Sequence, residues 1–194
     1  ALRSYLAWAQ SRRQPLSPVA QPRPQGKTGA VLWAHAGNPE TAEALHHLCD
    51  RLRQAMADVQ VVVTGDDGTT DSLPLPPETR TDAGAFAAAL APRVGLWTGH
   101  RLAPGVLDAM HEAGTPLLGI GIADRGFTHP GPRWLPDPAP AVLGLFHGLY
   151  PASEAAARRL RRYGIPANRV RRAQPLLPSP QPLACPDADH EDLS

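Results

Sequence analysis

Cysteine is scarce in this chain: Cys49 and Cys185 are the two present in 194 residues. That is too few for a disulfide scaffold, and neither belongs to a Cys-x-x-Cys pair or to a histidine spacing suited to zinc. An excess of one charge is also missing, since 19 Lys and Arg face 18 Asp and Glu for a net charge of +1. No global field therefore favours nucleic acid, and any anion site has to be local. Long hydrophobic runs are absent too, with nothing near the roughly 18 to 20 apolar residues that cross a bilayer. Proline, in contrast, is plentiful at 23 residues, against a usual share of ~5%.

The prolines are clustered, and the clusters mark joints. Residues 14–25 read as a linker, 73–77 as a loop, 128–140 as a longer loop and 174–186 as an extended exit strand or linker. Between them, short apolar runs at residues 30–34, 59–64, 94–97, 116–122 and 149–152 suit parallel strands buried on both faces. Residues 169–172 offer a further edge strand. The intervening segments carry helix signals. Asn38 is placed to cap a helix with Pro39 at its first position, and Leu45, Leu48, Cys49, Leu52 and Met56 follow at three-four spacing. Residues 82–90 stop before Pro92, and residues 104–113 stop at Gly114. Strand and helix in alternation predict an α/β fold with a doubly wound, mostly parallel sheet. Ligands on such a sheet bind beyond the carboxyl ends of its strands.

The ends differ from this body. Leu2, Tyr5, Leu6 and Ala9 have helical spacing, with Trp8 beside them and Arg3, Arg12 and Arg13 around them. That pattern suits either a helix lying on a membrane surface or a short packed helix. The last residues, from Cys185 to Ser194, are acidic like the first turn of a helix. They read either as the start of a further element or as a disordered tail. The chain thus divides into residues 1–28, a helix and Pro-rich linker; 29–174, one folded domain; and 175–194, a linker and the beginning of a second domain.

The stretch from Leu149 to Val170 reads as strand, helix and strand: Ser153 caps, Ala156, Leu160 and Tyr163 form the apolar stripe, and Gly164 stops the helix. Together with Trp33-Ala34-His35-Ala36, it resembles the amino-terminal half of the Kdo transferases, which attach 3-deoxy-D-manno-octulosonic acid to lipid A precursors. The resemblance implies a Rossmann-like, acceptor-side domain of a GT-B glycosyltransferase. It also implies CMP-Kdo as donor, a lipid A precursor as acceptor, a second Rossmann-like domain holding most of the nucleotide, and no metal. The place implied is the cytoplasmic face of a bacterial inner membrane, with peripheral membrane contact.

The candidate site residues follow the strands. Glu40 enters the first turn of a helix at the ligand-binding edge, where a carboxylate can serve as the base that accepts a hydroxyl proton, or can simply complement the helix dipole. The family carries a glutamate here in a pattern resembling His-Ala-x-Ser-Val-Gly-Glu; this chain keeps the start and the glutamate but lacks the Ser-Val-Gly and is one residue shorter. His35 can contact substrate or satisfy backbone groups. Residues 64–70, Thr-Gly-Asp-Asp-Gly-Thr-Thr, can meet an anion through backbone amides, yet Asp66 and Asp67 repel phosphate and suit an ordinary turn. His100 and Arg101 stand where the family shows Glu-Thr-Glu-x-Trp-Pro, and can bind an acceptor carboxylate or phosphate or be solvated loop residues. Arg125 approximates the arginine of a family segment resembling Asn-Ala-Arg-Leu-Ser, and its guanidinium suits a sugar carboxylate or lipid phosphate. The arginines at 158, 159, 161, 162, 169, 171 and 172 can receive anionic head groups or form a solvated helix face. A non-catalytic carbohydrate- or lipid-binding homologue, or a GT-B enzyme for another sugar nucleotide, fits the altered loops as well.

Overall fold

A computed structural model describes residues 1–12, 29–37, 39–56, 58–65 and 72–171, with backbone alone at 39 and 40. The Asn38 cap, the loop residues 66–70, Arg172, the linkers at 14–25 and 174–186 and the acidic tail lie outside these residues.

Five strands form one sheet in the order β2-β1-β3-β4-β5. They are β1 (Ala30–Ala36), β2 (Val59–Gly65), β3 (Val94–Trp97), β4 (Leu117–Ile122) and β5 (Gly148–Pro151). Every pairing is parallel, with Leu32 opposite Val61 and Val94, Gly95 opposite Leu117, and Gly119 opposite Leu149. This is the expected α/β, doubly wound, Rossmann-like arrangement. The helices are α1 (Leu2–Ser11), α2 (Pro39–Ala55), α3 (Arg80–Leu90), α4 (Pro104–Glu112), α5 (Ala139–Leu143) and α6 (Glu154–Arg162).

Alternation along the strands sorts the core into two layers. Val31 and Trp33 of β1 face one side, where α3, α4, α5 and α6 supply Phe86, Leu90, Leu107, Met110, Leu143 and Leu160. Leu32 and Ala34 face the other, against Leu45 and Cys49 of α2 and Val61 and Val63 of β2. Burial pushes the Cys49 thiol up to about 11, so it behaves as a small core hydrophobe.

Local chemistry sets the helix ends. The Ser153 hydroxyl accepts from Ala156 N at 3.1 Å, and Gly164 takes φ +81° after α6. Gly114 ends α4 in the same left-handed manner at φ +80°. Helix α3 begins two residues before the expected start because Thr79 is its cap, accepting from Asp82 N at 3.1 Å.

Three expectations need correction. Among the described residues, the edge strand expected at 169–172 is reduced to a single parallel bridge from Val170 to Leu149, preceded by a 3₁₀ turn, Ala167–Arg169. Arg169 N donates to the Pro166 carbonyl at 3.0 Å, which keeps Arg169 in the turn, while Arg171 N donates to the Leu149 carbonyl at 2.9 Å. The stretch 128–140 is not all loop, since Ala139 opens α5 and the Asp137 carboxylate accepts its N–H at 2.9 Å. Strand β1 also runs to Ala36, which places His35 inside the strand rather than after it. Helix α1 forms as expected, but its inner residues Tyr5 and Ala9 are buried with Leu135 of the 128–138 loop. Of the two readings of this stripe, the short packed helix is the one these contacts match.

Candidate functional site

The chain leaves β1 for β2 on one side and later enters β3 on the other, so the sheet's switch point lies between the carboxyl ends of β1 and β3. Thr98, directly after β3, ties this point together. Its hydroxyl donates to the His35 carbonyl at 3.0 Å and accepts from Gly37 N at 3.4 Å and from the Thr41 hydroxyl of α2 at 3.2 Å. Gly37 and Gly99 touch backbone to backbone: Gly99 sits at φ +90°, and a Cβ there would lie 2.9 Å from Gly37 Cα. A Cβ on Gly37 would overlap the Thr98 carbonyl oxygen. Gly37→Ala is therefore expected to lower stability by about 1–3 kcal/mol through forced separation of two buried loops. A denaturant melt checks this; an unchanged midpoint would refute the tight approach.

Beside the switch point, on the α3 and α4 side, lies a cavity of about 220 Å³. His35 and Trp97 line it together with Glu78, Arg101, Pro77 and Pro130. The volume is below the range for drug-sized ligands and suits a single small polar group or ring. His35 is fully buried. Its Nδ1 shares a 3.1 Å hydrogen bond with the Thr64 hydroxyl, which itself accepts from Trp33 Nε1 at 2.9 Å. The imidazole stacks on the Trp97 indole with ring centres 3.9 Å apart and planes 27° from parallel. Trp97 Nε1 is buried with no hydrogen-bond partner among the described residues, a donor that a ligand oxygen would satisfy.

Glu78 was not among the residues singled out from sequence. It follows the run Pro74-Leu75-Pro76-Pro77, whose fixed φ angles carry the chain over the cavity. Its Oε2 accepts from Gly105 N in the first turn of α4 at 2.6 Å, where the helix dipole favours negative charge. Gly105 has no room for a side chain, because a Cβ would approach the Glu78 carbonyl oxygen to 2.5 Å. From α1, Tyr5 reaches the same region. Burial raises its phenol pKa first and the Glu78 carboxylate raises it further, while Arg101 opposes, so Tyr5 stays protonated. A carboxylate after a proline run and just before a helix cap was the available signal.

Of the residues expected from sequence, His35 and Arg101 come together at this cavity. Arg101 stands exposed at the rim, its backbone bridged to Thr128. His100 and Arg125 do not line the cavity. His100 is half-buried beside it, with Nδ1 lacking a hydrogen-bond partner among the described residues. Arg125 is exposed after β4, next to Asp124, which pairs with Arg159 at 3.1 Å. Glu40 lies in the first turn of α2. That helix packs on the sheet face opposite the His35 side chain. Among the arginines near the carboxyl end, Arg159, Arg161 and Arg169 each have a partner within the protein, which fits a solvated, self-paired face. Among the described residues, no three of His, Cys, Asp and Glu converge as a metal site requires.

No family model matches the chain, and no curated protein matches it. Solved structures do match in fold. One is the 2.2 Å crystal structure of a Listeria monocytogenes protein named "putative UDP-N-acetylglucosamine 2-epimerase". It is similar with a TM-score of 0.50 and 11% identity, over 73% of this chain and 43% of its own length. The chain thus spans less than half of that neighbour, and at this identity the likeness concerns the Rossmann-like fold.

Proposed function

We propose that the chain is the acceptor-side half of a sugar-transferring enzyme of the Kdo transferase kind, moving Kdo from CMP-Kdo to a lipid A precursor. The observation that carries this reading is the cavity at the switch point, where His35 of the Trp-Ala-His-Ala strand meets Arg101, Glu78 and Trp97. A guanidinium, a carboxylate and an unpartnered indole N–H suit a polyhydroxylated ring bearing an acid group. Glu40 is the proposed base, and His100 and Arg125 are outer contacts for acceptor or donor sugar. A second Rossmann-like domain would hold the nucleotide, and no metal is required by the residues proposed. Work at the cytoplasmic face of an inner membrane follows from a lipid acceptor.

The test is transfer from CMP-Kdo to a lipid A precursor by a longer protein containing this chain, with the isolated chain run in parallel. Transfer by the longer protein alone supports the half-enzyme reading. A folded longer protein that binds acceptor without transferring sugar would replace it with a non-catalytic binding module.

A further inference from the structure

Proteins commonly cradle a phosphate with backbone N–H groups and a helix amino terminus. The cavity at the switch point withholds both. Pro74, Pro76, Pro77 and Pro130 line it and carry no N–H, and Leu102 N is spent on the Thr128 carbonyl at 2.7 Å. Helix α4 begins beside it with Pro104, which has no N–H either, and the next amide, Gly105 N, is bound by Glu78 Oε2 at 2.6 Å. The position where an anion would meet the helix dipole is filled by the protein's own carboxylate. Gly105 leaves no space for a side chain against the Glu78 carbonyl, so helix and carboxylate are held close together.

Exposure is graded across the lining. His35 and Trp97 are buried, Glu78 is half-buried and Arg101 is exposed at the rim. The buried part offers a donor: Trp97 Nε1 has no hydrogen-bond partner among the described residues. An anion seated inside would lie against the Glu78 charge with few amides to compensate it. A hydroxyl meets no such cost, because it can accept from the indole N–H and donate to a carboxylate. The volume of about 220 Å³ equals roughly seven waters by their share of the liquid, which suits one ring rather than two.

We infer that Glu78 is the specificity-determining residue of this cavity: it admits one uncharged, hydroxyl-bearing ring and keeps a phosphate or carboxylate substituent outside, at the Arg101 rim. The inference deepens the sugar reading of the cavity and rests on it. It assigns an orientation, ring inward and anionic group outward, and a residue that enforces it by repulsion. Discrimination of this kind works against the wrong ligand as much as for the right one.

Titration of the chain followed by ¹⁵N NMR tests it, reading the indole N–H signal of Trp97, which is identified by its loss in Trp97→Phe. The probes are glucose, glucose 6-phosphate and inorganic phosphate. Both sugars are expected to move the signal, the sugar phosphate binding about two- to fivefold more tightly through an exposed charge contact, and inorganic phosphate to leave it in place. Glu78→Gln keeps an oxygen for Gly105 N and removes the charge. It should weaken both sugars by roughly tenfold, as for a lost hydrogen bond to a charged group, and let inorganic phosphate move the signal. Silence of the Trp97 signal to both sugars, a response of the parent to inorganic phosphate, or unchanged selectivity in folded Glu78→Gln would overturn the inference. The parent's sugar and phosphate titrations decide it even where the variant does not fold. Sugar-induced shifts in a protein that transfers no Kdo would support this inference and sink the transfer reading alone.

Discussion

On the proposed sugar-transfer reading, replacing Glu40 by Gln in a longer protein containing this chain is expected to lower transfer by roughly 10²–10⁴-fold, the range lost with a general base, while melting and acceptor binding stay as in the parent. The amide keeps the shape of the carboxylate and cannot take the proton that the attacking hydroxyl releases. The reading places the base in the first turn of α2, where a helix dipole suits negative charge. The rival carboxylate is Glu78, on the cavity side of the sheet and bound to Gly105 N. If Glu40→Gln remains active while Glu78→Gln loses transfer without unfolding, the proton acceptor is in the cavity and the Glu40 assignment fails.

Trp97→Ala is expected to cost about 3–5 kcal/mol, as for other buried aromatic truncations. Its ring is almost fully buried, packs on Trp33 with centres 5.9 Å apart and stacks on His35. Removing it opens a hole between the central strands and leaves the imidazole without its platform. Trp97→Phe separates packing from recognition. It retains most of the apolar contact and deletes a buried donor that has no partner among the described residues, a group costing about 1–3 kcal/mol when left unsatisfied. Its stability should lie much closer to the parent than that of Trp97→Ala. In the longer protein, KM for the acceptor should rise if the indole N–H meets a ligand oxygen. Equal losses for the two variants, read by chemical denaturation, would show that ring volume at this position does not carry the packing.

Much of this fold was legible because its elements carry dense local signals. Apolar runs marked all five sheet strands to within a residue or two, and Ser153, Gly114 and Gly164 stop or start helices through chemistry that needs no distant partner. The edge strand expected at 169–172 shrinks to one bridge at Val170, because the Pro166 carbonyl closes a turn that takes up Arg169. The site was half legible. His35 and Arg101 were reachable from the rule about strand ends. Glu78 was not, because it reaches the cavity from outside the strand ends on a proline run, and neither was its neighbour Tyr5, which comes from an appended helix. Nor was it legible that α2 would pack on the sheet face opposite the His35 side chain, since that depends on which way β1 side chains alternate.

Helix α1 is not wound into the sheet, yet Tyr5 packs edge-on against His129 with ring centres 5.6 Å apart and lies beside Glu78. Those contacts join the first residues to segments made far later in the chain, so they carry a large loop-closure penalty and form late. Docking of α1 beside Glu78 is then expected in a second stage, after the strands have paired. In native-state hydrogen exchange, α1 would open as its own unit at a free energy below that of β1 and β3. The surroundings of Glu78 would follow the docking equilibrium of one short helix rather than the stability of the domain as a whole.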